Sequence, residues 1–330
     1  MGEIVVNDFL SFEGFVDSSY SHTDTDSDSP SMDGGENSFE VDQVEISWLF
    51  DFDTVTAQID LQYEGDSLIP AGEDGELVEQ AFVNYALANG DVVTAGRYAS
   101  MLGFEAFEPT GLYQYSTAYS VSGLPGYAQG VKYTRESDAT FFGISIQDEA
   151  FAGSFAAGKG ALGGDGNNNG DGSYAIELAY AQDLGDGVTG FLGGAFEDGD
   201  ADGDTYIINT YVTYETGAWL FAAEVNFGNS ESGAFDAITE SSDDVDVLSG
   251  LLMANYAYSD DSSVTARLSY EEVDDGAADA LEIMKYTLAH NKALADNLAL
   301  ITEISYGELE DGANGDDDVV ELAVELLFSF

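Results

Sequence analysis

The stretch DVVELAVELLFSF, residues 318–330, ends the chain and alternates between apolar and polar side chains. In an extended strand, side chains two positions apart share a face. One face of this stretch is wholly apolar and carries Val320, Leu322, Val324, Leu326, Phe328 and Phe330. The other face is mostly polar and carries Glu321, Ala323, Glu325, Leu327 and Ser329. The stretch therefore predicts a β-strand with one face in an apolar environment.

An apolar strand at the very end of a chain is unusual in a water-soluble sandwich, because free termini usually fray in water. Strands that place apolar residues outward and polar residues inward are typical of transmembrane β-barrels. The terminal Phe330 also resembles the closing strand of bacterial outer-membrane proteins. From this strand alone, an ordinary edge or core strand of a soluble β-protein stays open as the alternative.

Charge and composition exclude several classes of protein. The 330 residues include 7 Lys and Arg against 64 Asp and Glu, a formal net charge of −57. Binding of nucleic acid or anionic lipid through a basic patch is therefore excluded. An acidic excess of this size often indicates disorder, but 44% hydrophobic residues, 19 Tyr and 20 Phe predict a folded chain.

The sequence contains no Cys, which excludes disulfides and thiolate metal sites. It also contains no run of about 18 apolar residues, so any membrane span must be made of strands. The first residues, Met1, Gly2 and Glu3, have neither the basic nor the apolar region of a signal peptide. We expect a mature chain from which a signal peptide was removed, with a cytoplasmic origin as the alternative.

Alternating segments continue along the whole chain, separated in turn by short turns and long polar loops. They predict an all-β fold, one antiparallel barrel of about sixteen strands over residues 1–330, with a lead-in segment at 1–10. Both termini fall at the end with the short turns, which we expect to be periplasmic. The short turns lie near residues 89–91, 136–138, 184–187, 216–217, 259–262 and 295–297. The long, extracellular loops include residues 64–76, 100–123, 148–172, 197–203, 228–244, 273–278 and 308–317.

Local motifs around the third long loop resemble a known family. They are GRY at 96–98, LGFE at 102–105, EP at 108–109, YQYS at 113–116 and GLP at 123–125, with VDQVE at 41–45 in an earlier strand. Together they resemble the OmpL-like family of bacterial outer-membrane barrel porins. The resemblance implies that residues 100–123 fold into the lumen and narrow it as a constriction loop.

Charged residues near this loop are the candidates for the pore constriction. We predict that Arg97 and Lys132 point into the lumen and face Glu105 and Glu108 on the loop, because Tyr98, Val131 and Tyr133 then point outward. Arg135 is a further candidate. The predicted lumen-lining charges elsewhere are Glu45, Asp60, Glu177, Glu224, Glu303, Glu321 and Glu325, with Arg267 and Lys285.

Catalytic and metal sites have little support in the sequence. The two His, His22 and His290, are far apart, and carboxylate pairs are uninformative at this composition, so we predict no enzyme and no cofactor. One loop, with Asp198, Asp200 and Asp202, has the oxygen spacing of a calcium loop but lacks the twelfth-position Glu. An acidic loop tip without a bound ion is the alternative there.

The sequence thus favours an outer-membrane channel for passive diffusion of ions and small hydrophilic solutes, with a preference for cations. The expected partners are membrane lipid, lipopolysaccharide and further copies in a homotrimer, and no nucleic acid. Two alternatives remain. One is a soluble acidic β-protein of a saline habitat, and the other is a surface adhesin or structural barrel with a closed lumen.

Overall fold

The computed structural model describes residues 3–27, 33–64, 78–120, 124–151, 174–198, 203–231, 244–274, 276, 281–311 and 315–330. These residues form strands and one short 3₁₀ turn, Pro109–Gly111. None of the described segments is a helix long and apolar enough to span a membrane. The strands are β1 Ile4–Asn7, β2 Leu10–Ser27, β3 Gly34–Phe52, β4 Val55–Glu64, β5 Val78–Ala86, β6 Val92–Ala99, β7 Tyr127–Glu136, β8 Thr140–Gln147, β9 Tyr174–Gly185, β10 Val188–Asp198, β11 Asp204–Thr216, β12 Trp219–Ser230, β13 Val245–Ser259, β14 Ser262–Asp274, β15 Leu281–Ala295, β16 Leu298–Asp311 and β17 Gly315–Ser329.

Strands β2 to β17 form a closed antiparallel ring of sixteen strands. Each pairs with the next along the chain, and β17 pairs with β2 from Asp317 opposite Ser27 to Ser329 opposite Phe15. At the end of this seam, Phe330 and Gly14 exchange two main-chain hydrogen bonds of 2.9 Å. The predicted barrel and its strand number are confirmed, and the closing strand is the one that contains the C-terminal stretch.

The lead-in segment adds the short strand β1 to the ring. It pairs with the start of β2, where Ile4 lies opposite Phe12 and Val5 opposite Ser11. Closure of a barrel leaves no exposed edge over the membrane-spanning height, because every backbone group then has a neighbour.

Side chains on the outer face of the barrel are the apolar ones. On β17, Leu322, Val324 and Leu326 are exposed, whereas Ala323 and Glu325 between them are 2% and 1% exposed. The same alternation on β12 leaves Trp219, Phe221, Val225 and Phe227 exposed. A one-residue slip in register would turn all of these side chains inward, so the apolar pattern fixes the register of the ring.

The two ends of the barrel differ in the length of their connections. At one end, seven tight turns join consecutive strands, as predicted. In the turn between β9 and β10, the φ values of Gly185, Asp186 and Gly187 are all positive, at 87°, 53° and 80°. A turn with positive φ values twists in the same sense as the strands on either side of it. The other end carries the long connections. The third of these enters the barrel, and its described residues, 100–120 and 124–126, are called the inner loop below.

The protein core lies inside the ring, between the inner loop and the wall. Leu102 of the loop is 2% exposed and belongs to an apolar cluster with Phe191, Ala195 and Ile207 of the wall. Ala118, on the returning half of the loop, packs with Ala222, Leu251 and Met253 in a second cluster. Apolar inward residues therefore hold the loop in the lumen, where sequence alternation alone predicts mainly polar ones.

Candidate functional site: the inner loop and the wall that faces it

Carboxylates on the wall accept hydrogen bonds from the backbone of the inner loop. Glu177 on β9 is fully buried, and it accepts bonds of 2.7 Å from the Ser100 hydroxyl and the Met101 N–H. The inward position of Glu177 follows from alternation, because Leu178 beside it is exposed on the outer face. An ionised carboxylate is a strong acceptor for backbone N–H groups, so this contact fixes the point where the loop enters the lumen.

Glu224 on β12 fixes the next turn of the loop. Its Oε1 accepts a 2.7 Å bond from the Phe104 N–H, and the Asn209 side-chain amide donates to the same oxygen at 2.7 Å. The side-chain oxygen of Asn209 accepts a bond from the Gly103 N–H at 3.1 Å. Glu224 Oε2 accepts the Tyr119 hydroxyl at 2.9 Å, so one carboxylate holds both halves of the loop.

Arg267 on β14 forms the ion pair at the centre of the site. Its Nη1 lies 2.6 Å from Glu105 Oε1, with the two side chains 0% and 12% exposed. The same guanidinium donates to the main-chain oxygens of Ser116 and Thr117 at 2.8 Å each. On the other side, Glu105 accepts bonds of 2.7 Å from the Gln114 amide and the Ala118 N–H. This network joins the two halves of the loop to each other and to the wall.

Two further wall carboxylates hold the returning half of the loop. Glu303 on β16 accepts bonds from the N–H groups of Tyr115 and Ser116 at 2.9 and 3.2 Å, and from the Ser116 hydroxyl at 2.5 Å. Glu271 on β14 accepts the Ser120 N–H at 2.6 Å. Together with Glu177, Glu224 and Arg267, these two residues define the anchoring wall.

On the opposite side of the lumen, acidic side chains lie close to one another and not to backbone N–H groups of the loop. Glu45 on β3, Glu79 on β5 and Glu108 of the inner loop place one carboxylate oxygen each within 4.8 Å of the other two. Glu108 also accepts hydrogen bonds from the Gln43 amide at 2.9 Å and the Tyr127 hydroxyl at 3.0 Å.

A second set of acids lies beside this group, on β17, β2 and β3. Asp17 and Glu325 are 4% and 1% exposed, and one oxygen of each, like one oxygen of Asp42, is buried without a hydrogen bond. Asp42 accepts a 3.0 Å bond from Ser19, whose hydroxyl also lies 3.2 Å from that of Tyr115 in the loop. Asp17, Asp42, Glu45, Glu79 and Glu325 define the acidic wall.

Burial changes the pKa values of the titratable groups on the inner loop. It raises the pKa of Glu108 to about 7, with a further contribution from the negative charge of Glu45. Burial also raises the pKa of Tyr115 to about 12. The pKa of Tyr119 rises for the same reason and because Glu224 is adjacent. Both tyrosines therefore remain neutral hydrogen-bonding groups at any physiological pH.

The predicted orientation of β6 is wrong. Tyr98, predicted to point outward, is 1% exposed, and its hydroxyl lies 2.8 Å from the Ser145 hydroxyl inside the barrel. Arg97 lies on the alternate face, in register with Ala81 and Gln129, and its Nε donates to the main-chain oxygen of Glu79 at 2.8 Å. An aromatic ring was assigned to the lipid face because it is apolar, but the inner loop gives it a protein environment inside.

The predicted ion pairs of the constriction also need correction. Glu105 pairs with Arg267 and not with Arg97 or Lys132. Lys132 does point inward, where its Nζ lies 4.3 Å from the centre of the Tyr98 ring.

Arg135 lies away from the inner loop, at the end with the tight turns. Its side chain is 68% exposed, and its Nε is 3.8 Å from Asp91 Oδ1 in the neighbouring turn. Its assignment to the constriction is therefore wrong.

The remaining predicted lining charges lie on inward positions. Asp60 is fully buried and accepts bonds from the side-chain amides of Gln58 and Gln80. Lys285 Nζ donates to the main-chain oxygen of Thr117 at 3.3 Å, and Glu321 follows the inward alternation of β17. Their influence on permeating ions stays a prediction.

The calcium loop suggested by the sequence lies largely outside the described residues. Asp198 ends β10, whereas Asp200 and Asp202 are not among the described positions. The two His also remain apart: His22 bonds to Asn37, and His290 to the Tyr258 hydroxyl.

Sequence reasoning missed several residues that the fold brings to the loop. Glu271 could have been found, because the apolar residues Leu268 and Tyr270 share the outer face of β14 and alternation then turns Glu271 inward. Glu79 could not, since the register of β4 against β5 shifts between Asp60 and Leu61 and disturbs the alternation there. Asn209 gives no local signal, because an inward amide on a strand is common in any polar lumen.

Comparisons with known proteins agree with this architecture. The family model described as "Putative beta-barrel porin-2, OmpL-like" matches residues 10–330. A search of curated protein sequences found no match.

Among solved structures, OmpF of Salmonella typhi, in a complex with daunomycin, is similar with a TM-score of 0.70 and 14% identity over 100% of both chains. The outer membrane channel DcaP of Acinetobacter baumannii has a TM-score of 0.69 and 11% identity over 97% of each chain. The anion-selective porin from Comamonas acidovorans has a TM-score of 0.67 and 14% identity, over 97% of this chain and 99% of that one. At these identities the similarity shows a shared fold.

Proposed function

Because the chain belongs to the OmpL-like beta-barrel porin-2 family of bacterial outer-membrane porins, we propose that it forms a narrow, cation-preferring pore for ions and small hydrophilic solutes. Transport is passive, since diffusion through a water-filled lumen needs no catalytic group. The observation that carries this proposal is the inner loop, which crosses the lumen and is bonded to the wall on both sides.

The bonds between the loop and the wall support a small and fixed pore size. The loop is held at its entry by Glu177, at its centre by Arg267 and on its return by Glu303. A loop held at several points by charge-assisted bonds cannot move aside without breaking them, so we expect the constriction to exclude large solutes.

The distribution of charge supports the preference for cations. The cation of the anchoring wall, Arg267, is paired with Glu105 and is therefore locally neutralised. The acidic wall carries five carboxylates, and the inner loop adds Glu108 next to it. In a narrow lumen with low-dielectric walls, such an excess raises the local concentration of cations and repels anions.

The test is the reversal potential of purified protein in a planar bilayer under a KCl gradient. We expect a cation-selective potential at low salt that decreases at high salt, because the Debye length falls from about 10 Å at 0.1 M to about 3 Å at 1 M. An anion-selective potential at low salt would contradict the proposed preference.

A structural or adhesive barrel with a closed lumen is the second candidate. The specific observation in its favour is that the loop bonds to strands around most of the ring, from Gln43 on β3 to Glu303 on β16. The bilayer experiment separates the two candidates, because a closed barrel inserts without producing conductance steps.

For the assembled state, we propose a homotrimer whose outer face contacts membrane lipid and, at the end with the long loops, lipopolysaccharide. The exposed apolar side chains of β12 and β17 supply the lipid-facing surface. Light scattering of the detergent-solubilised protein should give three chains per particle, and a monodisperse monomer would contradict the trimer.

A further inference from the structure

Three carboxylates from separate parts of the chain meet between the inner loop and the wall. Glu45 and Glu79 come from β3 and β5, and Glu108 comes from the loop. One oxygen from each lies within 4.8 Å of the other two. Three carboxylates that are ionised together at this separation repel one another strongly where little water screens them, so the arrangement requires compensation by a proton or by a cation.

Two of these carboxylates also have a buried oxygen without a partner. Glu45 and Glu79 are 7% and 3% exposed, and neither Glu45 Oε2 nor Glu79 Oε2 accepts a hydrogen bond. Among the described residues, the other oxygen of Glu45 is already used by the Ser47 hydroxyl at 2.7 Å. A buried carboxylate oxygen without a donor is costly, and a bound cation is one way in which proteins satisfy it.

The donor set indicates which cation would fit. Carboxylate oxygens are hard ligands that suit Ca²⁺ and Mg²⁺, whereas softer metals favour His and Cys. Ca²⁺ binds oxygens at about 2.3–2.6 Å, so two of its ligands can be up to roughly 5 Å apart. Mg²⁺ requires shorter distances of about 2.0–2.1 Å and near-ideal octahedral geometry. A spacing within 4.8 Å therefore suits Ca²⁺ with little rearrangement.

We propose that Glu45, Glu79 and Glu108 form a calcium site that joins the inner loop to β3 and β5. The bound ion would replace the repulsion among the carboxylates with three attractive contacts. The ion would also attach the inner loop to the acidic wall. On the anchoring wall this attachment is made by backbone N–H groups of the loop, which do not reach Glu45 and Glu79.

This site is distinct from the calcium-like spacing at residues 198–204, and it does not depend on conduction. A barrel with a closed lumen would bind the ion in the same way. Its consequence for a pore is that calcium reduces the negative charge on the acidic wall and restrains the loop, so that micromolar to millimolar calcium would lower cation selectivity.

Calorimetric titration of the folded, detergent-solubilised barrel with CaCl₂ tests the proposal, with folding of every variant checked by its shift in gel mobility on boiling. We compare the wild type with Glu79→Gln and Glu45→Gln, which keep the shape of the side chain and remove one charge. The matched control is Glu310→Gln, which removes one charge from an exposed position at the long-loop end of β16.

We expect Glu79→Gln and Glu45→Gln each to weaken the tightest calcium-binding event about 10-fold or more, equivalent to about 1.4 kcal/mol, while Glu310→Gln leaves it unchanged. The proposal is overturned if all four proteins bind the same number of ions with the same affinity, which would place the binding in the acidic loops.

Terbium luminescence keeps the proposal testable if the Glu variants do not fold. Tb³⁺ replaces Ca²⁺ at oxygen sites and emits when a nearby tyrosine is excited. The Tyr127 hydroxyl lies 3.0 Å from Glu108 Oε1, so its ring is the expected sensitiser. Tyr127→Phe should remove most of the calcium-displaceable emission, and unchanged emission in that variant would contradict the site.

Discussion

The anchoring wall and the acidic wall carry the same type of side chain on the same face of the barrel, yet they have opposite relations to the inner loop. Glu177, Glu224 and Glu303 accept backbone N–H groups of the loop. On the acidic wall, Glu45 and Glu79 approach another carboxylate, and each has a buried oxygen without a donor.

The difference between the two walls lies in the supply of donors and not in the acids themselves. Each segment of loop backbone that passes the anchoring wall presents N–H groups that no strand has satisfied, and the wall acids satisfy them. Where the loop presents Glu108 instead, the same wall chemistry produces repulsion. Acids of the first kind fix the loop, and acids of the second kind are available to cations.

The largest expected effect comes from removing the central cation of the anchoring wall. Arg267→Met leaves Glu105 buried without its partner and removes the bonds to Ser116 and Thr117. Loss of one member of a buried ion pair typically costs about 3–5 kcal/mol. We expect lower resistance to guanidinium, and larger, noisier conductance steps as the loop is released.

Lys292→Met is the matched control for that change. Lys292 also pairs with an acid, Asp261, at 2.5 Å, but the side chains are 37% and 53% exposed at a tight turn. Solvent screens such pairs, so conductance should remain that of the wild type. If Arg267→Met behaves like Lys292→Met in both measurements, Arg267 does not hold the loop.

The next largest effect is expected when the hydrogen bonds from the loop backbone to Glu303 are weakened. Glu303→Gln keeps the acceptor oxygen but removes the charge that strengthens three bonds to Tyr115 and Ser116. We expect a loss of about 1–3 kcal/mol in stability and faster hydrogen exchange of these two amides. Glu321→Gln is the control, because in the described part of the chain no loop amide donates to Glu321. Equal exchange in both variants would contradict the anchoring role.

Much of the fold could be predicted from the sequence because alternation and turn chemistry are local signals. The C-terminal strand and the tight turns follow from residues close together in the chain, whereas the entry of the third long loop into the lumen was implied by the resemblance to a porin family. The outer face is especially clear, since lipid tolerates almost no polar side chain there.

The site could be predicted only in part, because its contacts are not local. Arg267 and Glu105 are 162 residues apart, and nothing in the local sequence of either indicates the other. Tyr98 shows a second reason: once a loop fills the lumen, an inward aromatic ring is as acceptable as an outward one. The assignment of Arg97 to the lumen failed for this reason.

A smaller effect is expected on ion selectivity, which should respond differently to the loss of a carboxylate from each wall. Glu325→Gln removes a charge from the acidic wall, where its Oε1 has no hydrogen-bond partner. Glu177→Gln removes a charge already engaged by Ser100 and Met101. We expect the first change to lower the cation-to-anion permeability ratio by about two- to fivefold at low salt, and the second to lower it less. The reverse order of effects would show that engaged carboxylates still dominate the field.

The smallest effect is expected when one of two cations on the same strand is removed and the ion selectivity is measured. Lys132 and Arg135 are three residues apart on β7, and both were assigned to the constriction from the sequence. Lys132 lies inside against the Tyr98 ring, in a contact worth about 0.5–2 kcal/mol, and its charge faces the lumen. Arg135 is 68% exposed at the end with the tight turns. We therefore expect Lys132→Met to increase cation selectivity by about twofold or less, and Arg135→Met to leave selectivity and conductance unchanged.

Reversal potentials of the two variants at low salt measure this difference directly. A change in Arg135→Met as large as that in Lys132→Met would mean that the tight-turn mouth, and not the inner loop, sets the selectivity of the pore.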